Sequence, residues 1–250
     1  MEQIAASFKK DLFAGKGVFV TGGTSGIGLG TARAFQALGA IVIATGATAE
    51  ECTAASRDAA NAGINFASLD VRDAPGIARH LQDAPNLYVV VNAAGVIRRD
   101  VEHDPEQFAE VIAINLLGTM RVCTAAKPML AASKGCVINI ASMLTFFGSP
   151  RAPAYSASKG GIGQLTKSLA AAWAKESIRV NAVAPGWIAT PLTEALRQDQ
   201  EKSRPILMRT PMERWGTPEE VAGATVFLAS PAARFITGAI VPVDGGYSAV

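Results

Sequence analysis

Short apolar runs alternate along the chain with longer stretches whose apolar positions recur every three or four residues. The runs are Gly17 to Thr21, Ile41 to Thr45, Ile64 to Leu69, Leu87 to Asn92, Cys136 to Ser142, Ile178 to Pro185 and Ala239 to Val243. They are rich in Val and Ile, are bounded by Gly, Pro, Asn or Asp, and predict strands. The longer stretches predict helices over Ile27 to Leu38, Ala49 to Ala62, Pro75 to Gln82, Pro105 to Ala132, Tyr155 to Glu176 and Pro218 to Ala229. Trp187 to Met212, with Pro191, Pro205 and Pro211, reads as a long irregular segment. Its apolar Leu192, Leu196, Ile206, Leu207 and Met208 make it a substrate lid, about 187–212, rather than a loose connection.

Strands that are apolar on both faces and separated by helices imply parallel βαβ units. Right-handed crossovers then give one doubly wound α/β domain, of Rossmann type, over residues 1–250. Its sheet has mostly parallel strands, seven in all, with helices on both faces. Ligands of such sheets bind beyond the carboxyl ends of the strands, so function is expected just after each strand. A chain of 250 residues, 49% hydrophobic, builds a sizeable single core. The net charge of +2, with no Lys/Arg run longer than two, argues against nucleic acid. Three widely spaced cysteines without a CxxC pair suit reduced packing residues. The N-terminal segment lacks an apolar leader core and no apolar run spans a bilayer. The expectation is a cytoplasmic protein free of membrane.

After the first strand comes Thr21-Gly22-Gly23-Thr24-Ser25-Gly26-Ile27-Gly28, opening a helix. Gly22 permits a tight turn, while Gly26 and Gly28 let the backbone approach a pyrophosphate at the helix N-terminus. A glycine-rich turn alone is a weak signal; strand before and helix after strengthen it. Read as T-G-x-x-x-G-x-G, this loop resembles that of the short-chain dehydrogenase/reductase family. Later motifs follow in the family's order from Leu12 to Tyr247.

The resemblance implies a set of cofactor contacts. Asp70 and Val71 would meet the adenine. Asn92-Ala93-Ala94-Gly95 corresponds to the family's N-N-A-G, with Ala93 replacing the second Asn. Pro185 and Gly186 would bend around the nicotinamide, and Ile188 and Thr190 would fix its transferring face. It also implies a catalytic set of Asn115, Ser142, Tyr155 and Lys159. The chemistry explains that set. A free tyrosine ionises near ~10, and lowering this to ~7 takes about 4 kcal/mol of phenolate stabilisation. One cation at about 4 Å supplies roughly that much at an effective dielectric near 20. Tyr155 and Lys159 stand four apart at the start of a helix, on one face. Such a pair alone arises by chance on exposed helices; the ordered set of four does not. By the resemblance Lys159 also holds the nicotinamide ribose, Ser142 binds the substrate oxygen, and Asn115 holds a water that carries protons from Lys159.

The end of the second strand, Thr45-Gly46-Ala47-Thr48, chooses between cofactors. An Asp there would accept the ribose diol of NAD, and an Arg or Lys there or in the loop would pair the phosphate of NADP. Position 47 is Ala and the loop carries Ser25. A lost neutral hydrogen bond costs only ~1 kcal/mol, whereas a phosphate needs cationic or multiple donors. NAD is therefore preferred. NADP stays open, since some relatives with Thr at this strand end use it.

Arg98, Arg99, Arg151 and Trp187 are candidate substrate residues; paired arginines suit a carboxylate, although any single one reads better as a solvated or inter-subunit salt-bridge partner. Stretches such as Ala94 to Arg99 and Arg209 to Gly216 resemble a subfamily acting on gluconates and keto-deoxy-gluconates. The expected reaction is hydride transfer between nicotinamide and a secondary alcohol or ketone of a sugar acid. An NADPH-dependent 3-oxoacyl carrier-protein or general carbonyl reductase is the alternative, with Arg98, Arg99 and Arg121 as a thin docking patch. A regulator without turnover would want a broken catalytic set. His80 and His103 have no ligand-spaced neighbours, so no metal is expected. Nor does any motif offer Ser142 a His partner for a hydrolase triad. The family's habit implies a homotetramer packed through the two long helices, where Ala170-Ala171-Ala172 permits close approach.

Overall fold

A computed structural model describes residues 6–250. Residues 1–5, where the segment read for a leader begins, lie outside the described residues. Seven strands form one sheet: β1 (Gly17–Thr21), β2 (Ile41–Gly46), β3 (Ile64–Ser68), β4 (Leu87–Asn92), β5 (Cys136–Ile140), β6 (Arg179–Pro185) and β7 (Ile240–Val243). Their order is β3-β2-β1-β4-β5-β6-β7, and every pairing is parallel. The order reverses between β1 and β4. There the loops after the two strands diverge to opposite faces and leave a crevice.

The unbroken apolar runs are explained by burial on both faces. β1 and β5 are buried at every residue. On one face Phe35 of α1 (Gly26–Ala37) and Val221, Val226 and Leu228 of the Pro218–Ala229 helix pack with Val18, Val42 and Ile138. The sheet's other face is covered by α3 (Ala74–Gln82), α4 (Pro105–Ser133) and α5 (Pro153–Trp173), through Ile77, Leu81, Val122, Leu130, Leu169 and Trp173. α2 (Ala49–Ser56) follows β2; Thr48 caps it by accepting from Glu51 N.

α4 is long and apolar enough to cross a bilayer by length and composition. Here its inner side packs on the sheet, while Phe108, Leu117 and Met120 face outward and are exposed. Ala113–Leu117 forms a π-helical turn inside it, the kind of irregularity often found at functional sites.

The structure departs from the sequence reading in three places. The helix expected to reach Ala62 stops at Ser56, because the Asp58 side chain accepts from Ala60 N and starts a new short turn, Ala59–Asn61. The fifth strand ends at Ile140, so Ser142 caps the turn Met143–Thr145 instead of ending a strand. The segment 187–212 is not irregular: it holds α6 (Glu194–Gln198) and α7 (Gln200–Arg209), followed later by α8 (Pro218–Ala229). α7 is started by Asp199, whose side chain accepts from Lys202 N, and tolerates Pro205. It is built on a cap rather than on apolar periodicity.

α4 ends on Lys134, held at φ 53°. The left-handed conformation costs a non-glycine residue roughly 1–2 kcal/mol. Lys134→Gly is therefore expected to raise stability by about 1 kcal/mol, or Tm by about 2–4 °C, in a thermal scan. An unchanged or lowered Tm would remove that account of the helix end.

Candidate active site

The crevice at the carboxyl edge of the sheet has a volume of about 820 Å³. Gly22, Thr24, Ser25, Gly26, Ile27 and Gly28 form its floor, Asp70 and Val71 one end, and Ala93, Gly95 and Thr190 its wall. Tyr155 and Lys159 reach the same space from α5. The other expected residues stand behind these. Thr45 and Asn92 are buried, as are Asn115, Ser142 and Ile188. Pro185 and Gly186 turn the chain after β6, and Gly186 N donates to Val243 O.

Whether a dinucleotide fits can be judged from the glycine loop. Gly22 (φ 62°) lies against Ala94, and a Cβ on Gly28 would overlap the Gly22 carbonyl. Ser25 caps α1 through its backbone without a side-chain hydrogen bond, and no acid stands in the first turn. The first N–H groups of α1 are thus left without side-chain caps at the crevice floor, as a bound pyrophosphate requires. The residues fit the group.

At the adenosine end, Glu51 of α2 accepts from Ala47 N (2.8 Å). The same carboxylate and Thr24 crowd the space beside Gly46. Arg72, the cation there, donates to both oxygens of Asp70, from Nε to Oδ1 (3.0 Å) and from Nη2 to Oδ2 (2.6 Å). The Arg72 guanidinium holds the Asp70 carboxyl below its ordinary range.

The corner around Tyr155 and Lys159 is built by contacts from several elements. Lys159 is buried and donates from Nζ to Ile140 O (2.6 Å). Burial pushes its pKa down to about 8, so it remains protonated at neutral pH. Its Nζ lies 5.5 Å from the centre of the Tyr155 ring. Tyr155 is half-buried, and burial pushes its phenol up; hydrogen bonding with Ser142 and the nearby charge of Arg99 pull it down, and Glu102 raises it. Asn115 sits in the π-helical turn. Its amide accepts from Val96 N (2.8 Å) and donates to Val96 O (2.9 Å) and Ser158 Oγ (3.1 Å). Its side chain thereby fixes the loop after β4 to α5. Asn92 ties β4 to β5 through Asn139 (2.9 Å), which in turn donates to Thr166 of α5 (2.9 Å).

The candidate substrate residues part company. Arg98 pairs with Glu110 (2.8 Å). Arg151 is exposed and forks onto Asp100 (2.7 and 2.5 Å). Arg99 makes no hydrogen bond or ion pair with any described residue; burial lowers its pKa and the Tyr155 phenol opposes that. Trp187 lies outside the main crevice, against Trp215 (5.7 Å) and Tyr247 (6.5 Å).

Sequence reading passed over Glu51 and Glu102. Glu102 is wholly buried and accepts from Arg98 N (2.7 Å) and Tyr155 N (2.8 Å). No local pattern marks it, since one partner is 53 residues away. Among the described residues no cluster of His, Cys, Asp or Glu could hold a metal ion.

Residues 22–248 match the family model described as enoyl-(acyl carrier protein) reductase. A 2-dehydro-3-deoxy-D-gluconate 5-dehydrogenase of Pseudoalteromonas atlantica is 40% identical over 93% of this chain and 96% of its own length. A galactitol 2-dehydrogenase (L-tagatose-forming) of Cereibacter sphaeroides is 41% identical over 92% and 93%. The crystal structure of a gluconate 5-dehydrogenase from Burkholderia cenocepacia, in complex with NADP and tartrate, superposes with a TM-score of 0.88 at 31% identity, covering 96% of this chain and 98% of that one. With its glycine-lined crevice, parallel sheet and near full-length relatives, the chain belongs to the short-chain dehydrogenase/reductase family and is an NAD(P)-dependent oxidoreductase acting on CH–OH groups.

Proposed function

We propose that the enzyme interconverts a secondary alcohol and a ketone of a sugar acid, with Arg99 receiving the substrate carboxylate. The observation that carries this reading is the partly buried guanidinium of Arg99, which pairs with no other described residue and lies close enough to Tyr155 for the two groups to act on one another, while Arg98 and Arg151 are engaged elsewhere. A guanidinium in that position suits a carboxylate held next to the reacting carbon. Relatives named for a keto-deoxy-gluconate and for gluconate support the class. The reductase alternative gains little, because Arg98 is paired and Arg121 donates to Ala113 O (3.2 Å).

In this reading Tyr155 takes the alcohol proton during oxidation and returns it during reduction. Ser142 donates to the substrate oxygen as charge builds on it. Lys159 holds the phenolate by its charge and, with two N–H groups beyond its bond to Ile140 O, the cofactor ribose. Gly22 to Gly28 bind the pyrophosphate; Asp70 and Val71 hold the adenine end, and Asn92, Ala93, Gly95, Pro185, Gly186, Ile188 and Thr190 shape the nicotinamide end. Asn115 holds the loop after β4 in place. A bound nicotinamide supplies the hydride acceptor or donor. The segment 187–212 acts as a lid, since Thr190, Pro191 and Leu192 border the crevice. The exposed apolar side of α4 suits contact with further copies, in a cytoplasmic homotetramer.

NAD is the preferred cofactor. Its support is the Glu51 carboxylate beside Thr24, Gly46 and Ala47, with Arg72 already held by Asp70. That carboxylate occupies the Ala47 N–H and repels a further phosphate.

Turnover of gluconate, 2-keto-3-deoxy-gluconate, galactitol and acetoacetyl thioester, followed by reduced-nicotinamide absorbance, tests the substrate class, with Tyr155→Phe as the inactive blank. Arg99→Met should lower kcat/KM about a hundredfold for the acid and less than about threefold for the neutral polyol. Equal losses, or thioester turnover alone, sink the sugar-acid reading. Glu51→Arg should shift the NAD-to-NADP ratio of kcat/KM at least about tenfold toward NADP. No shift would remove Glu51 from cofactor choice.

Lys159 also predicts a pH effect on stability. Its folded pKa lies below the unfolded value of ~10.4. The unfolded chain therefore binds more protons between about pH 8 and ~10.4, and stability rises with pH across that window. Apo Lys159→Met should be more stable than the parent at pH 7 by about 2 kcal/mol in urea titrations, after loss of the Ile140 hydrogen bond. Its pH-dependent part should vanish near pH ~10.4; a parent that loses stability through this window contradicts the assignment.

A further inference from the structure

Glu102 is the wholly buried carboxylate that the reaction above does not use. Among the described residues it forms no ion pair with Lys, Arg or His; its two oxygens are met by the backbone N–H groups of Arg98 and Tyr155. Two donors, one on each oxygen, suit an ionised carboxylate, which only accepts. Tyr155 N is one of the first-turn groups of α5 that no helical carbonyl can satisfy. The α5 cap position, Ala152, offers no side-chain acceptor. The cap of this helix is instead supplied by a loop 53 residues earlier in the chain.

More bonds run beside that one. Asp100 N donates to Arg151 O (2.8 Å), and Arg151 forks onto Asp100. His103 Nε2 donates to Pro150 O (2.9 Å). These lie at the exposed rim, where ion pairs contribute little. Glu102 lies at the buried centre of the same seam.

We propose that Glu102 is a positioning residue: it joins the loop bearing Arg99 to the first turn of α5, so that the substrate-binding guanidinium and the phenol of Tyr155 keep one fixed separation. This rests on reading Tyr155 as the proton-transferring group. Among the described residues, the groups that act on that phenol are Ser142 from the turn after β5, Lys159 from its own helix, and Arg99 and Glu102 from the loop after β4. Glu102 is the only negative charge among them. It acts on Tyr155 in two ways: it fixes the helix turn, and it favours the protonated phenol.

Glu102→Gln tests both roles at nearly constant shape, for one backbone N–H then meets an amide NH2 and the charge is gone. The holoenzyme is expected to lose about ten- to a hundredfold in kcat, with KM for the dinucleotide within about twofold. The acid limb of the oxidation profile should move down by about one pH unit, since the charge that held the phenol proton is lost. Glu102→Asp keeps the charge and should restore the limb while recovering kcat in part. Backbone amide exchange of the apo protein should show Arg98 and Tyr155 losing protection together in Glu102→Gln. A variant with lowered Tm but unchanged kcat and pH limb overturns the proposal. If the parent turns over no substrate, the sugar-acid reading fails by itself and exchange decides. Joint loss of protection then upholds the tie, and protection that stays or is lost at one amide alone refutes it.

Discussion

Seven parallel strands all present their carboxyl ends at one edge, and that shared polarity is the constraint on which the rest of the molecule depends. Each strand hands over to a loop there, and α1 begins there with first-turn N–H groups that no side chain caps. The edge is therefore rich in backbone donors before any side chain is chosen. The crevice residues after β1, β2, β3, β4 and β6, with Ile140 from the end of β5, all come from this one rim. α5 is the exception that completes the set, since Tyr155 and Lys159 enter from its first turns rather than from a strand end.

What could be read in advance was local. Gly22 to Gly28 announce a tight turn because the carbonyl that a Gly28 side chain would overlap belongs to Gly22, in the same short loop. Tyr155 and Lys159 are legible because four residues make one helical turn. The seven strands are legible because burial on both faces leaves apolar runs. What escaped was set by distant partners. Nothing near Arg99 says that it is free while Arg98 and Arg151 are engaged; that depends on Glu110 and Asp100. Glu102 looks like a solvated loop acid until α5 is laid over it. The π-helical turn around Asn115 leaves no trace in the apolar spacing, and α7 was hidden by Pro205 and by its lack of an apolar face.

The corner around Tyr155 and Lys159 also concentrates what the rest of the fold avoids. Among the described residues, Lys159 and Glu102 are buried without ion partners, and Arg99 is half-buried without a hydrogen-bond partner. Ion pairs elsewhere, such as Arg214 with Glu220, lie at the surface. Local rules of burial are broken at this corner, and the large two-faced core offsets the penalty.

The cysteines lead to a different consequence. Cys52, Cys123 and Cys136 are all buried and free, and burial lifts the thiols of Cys123 and Cys136 to about 12 and about 11. Only the thiolate attacks disulfides, peroxides or alkylating agents, and so little of it exists in the closed molecule that these sulfurs are chemically silent. Cys123 and Cys136 sit at the middle of the sheet and its covering helix, where exposure demands opening of the whole body. The rate at which Cys123 and Cys136 become labelled is thus a built-in clock for global unfolding.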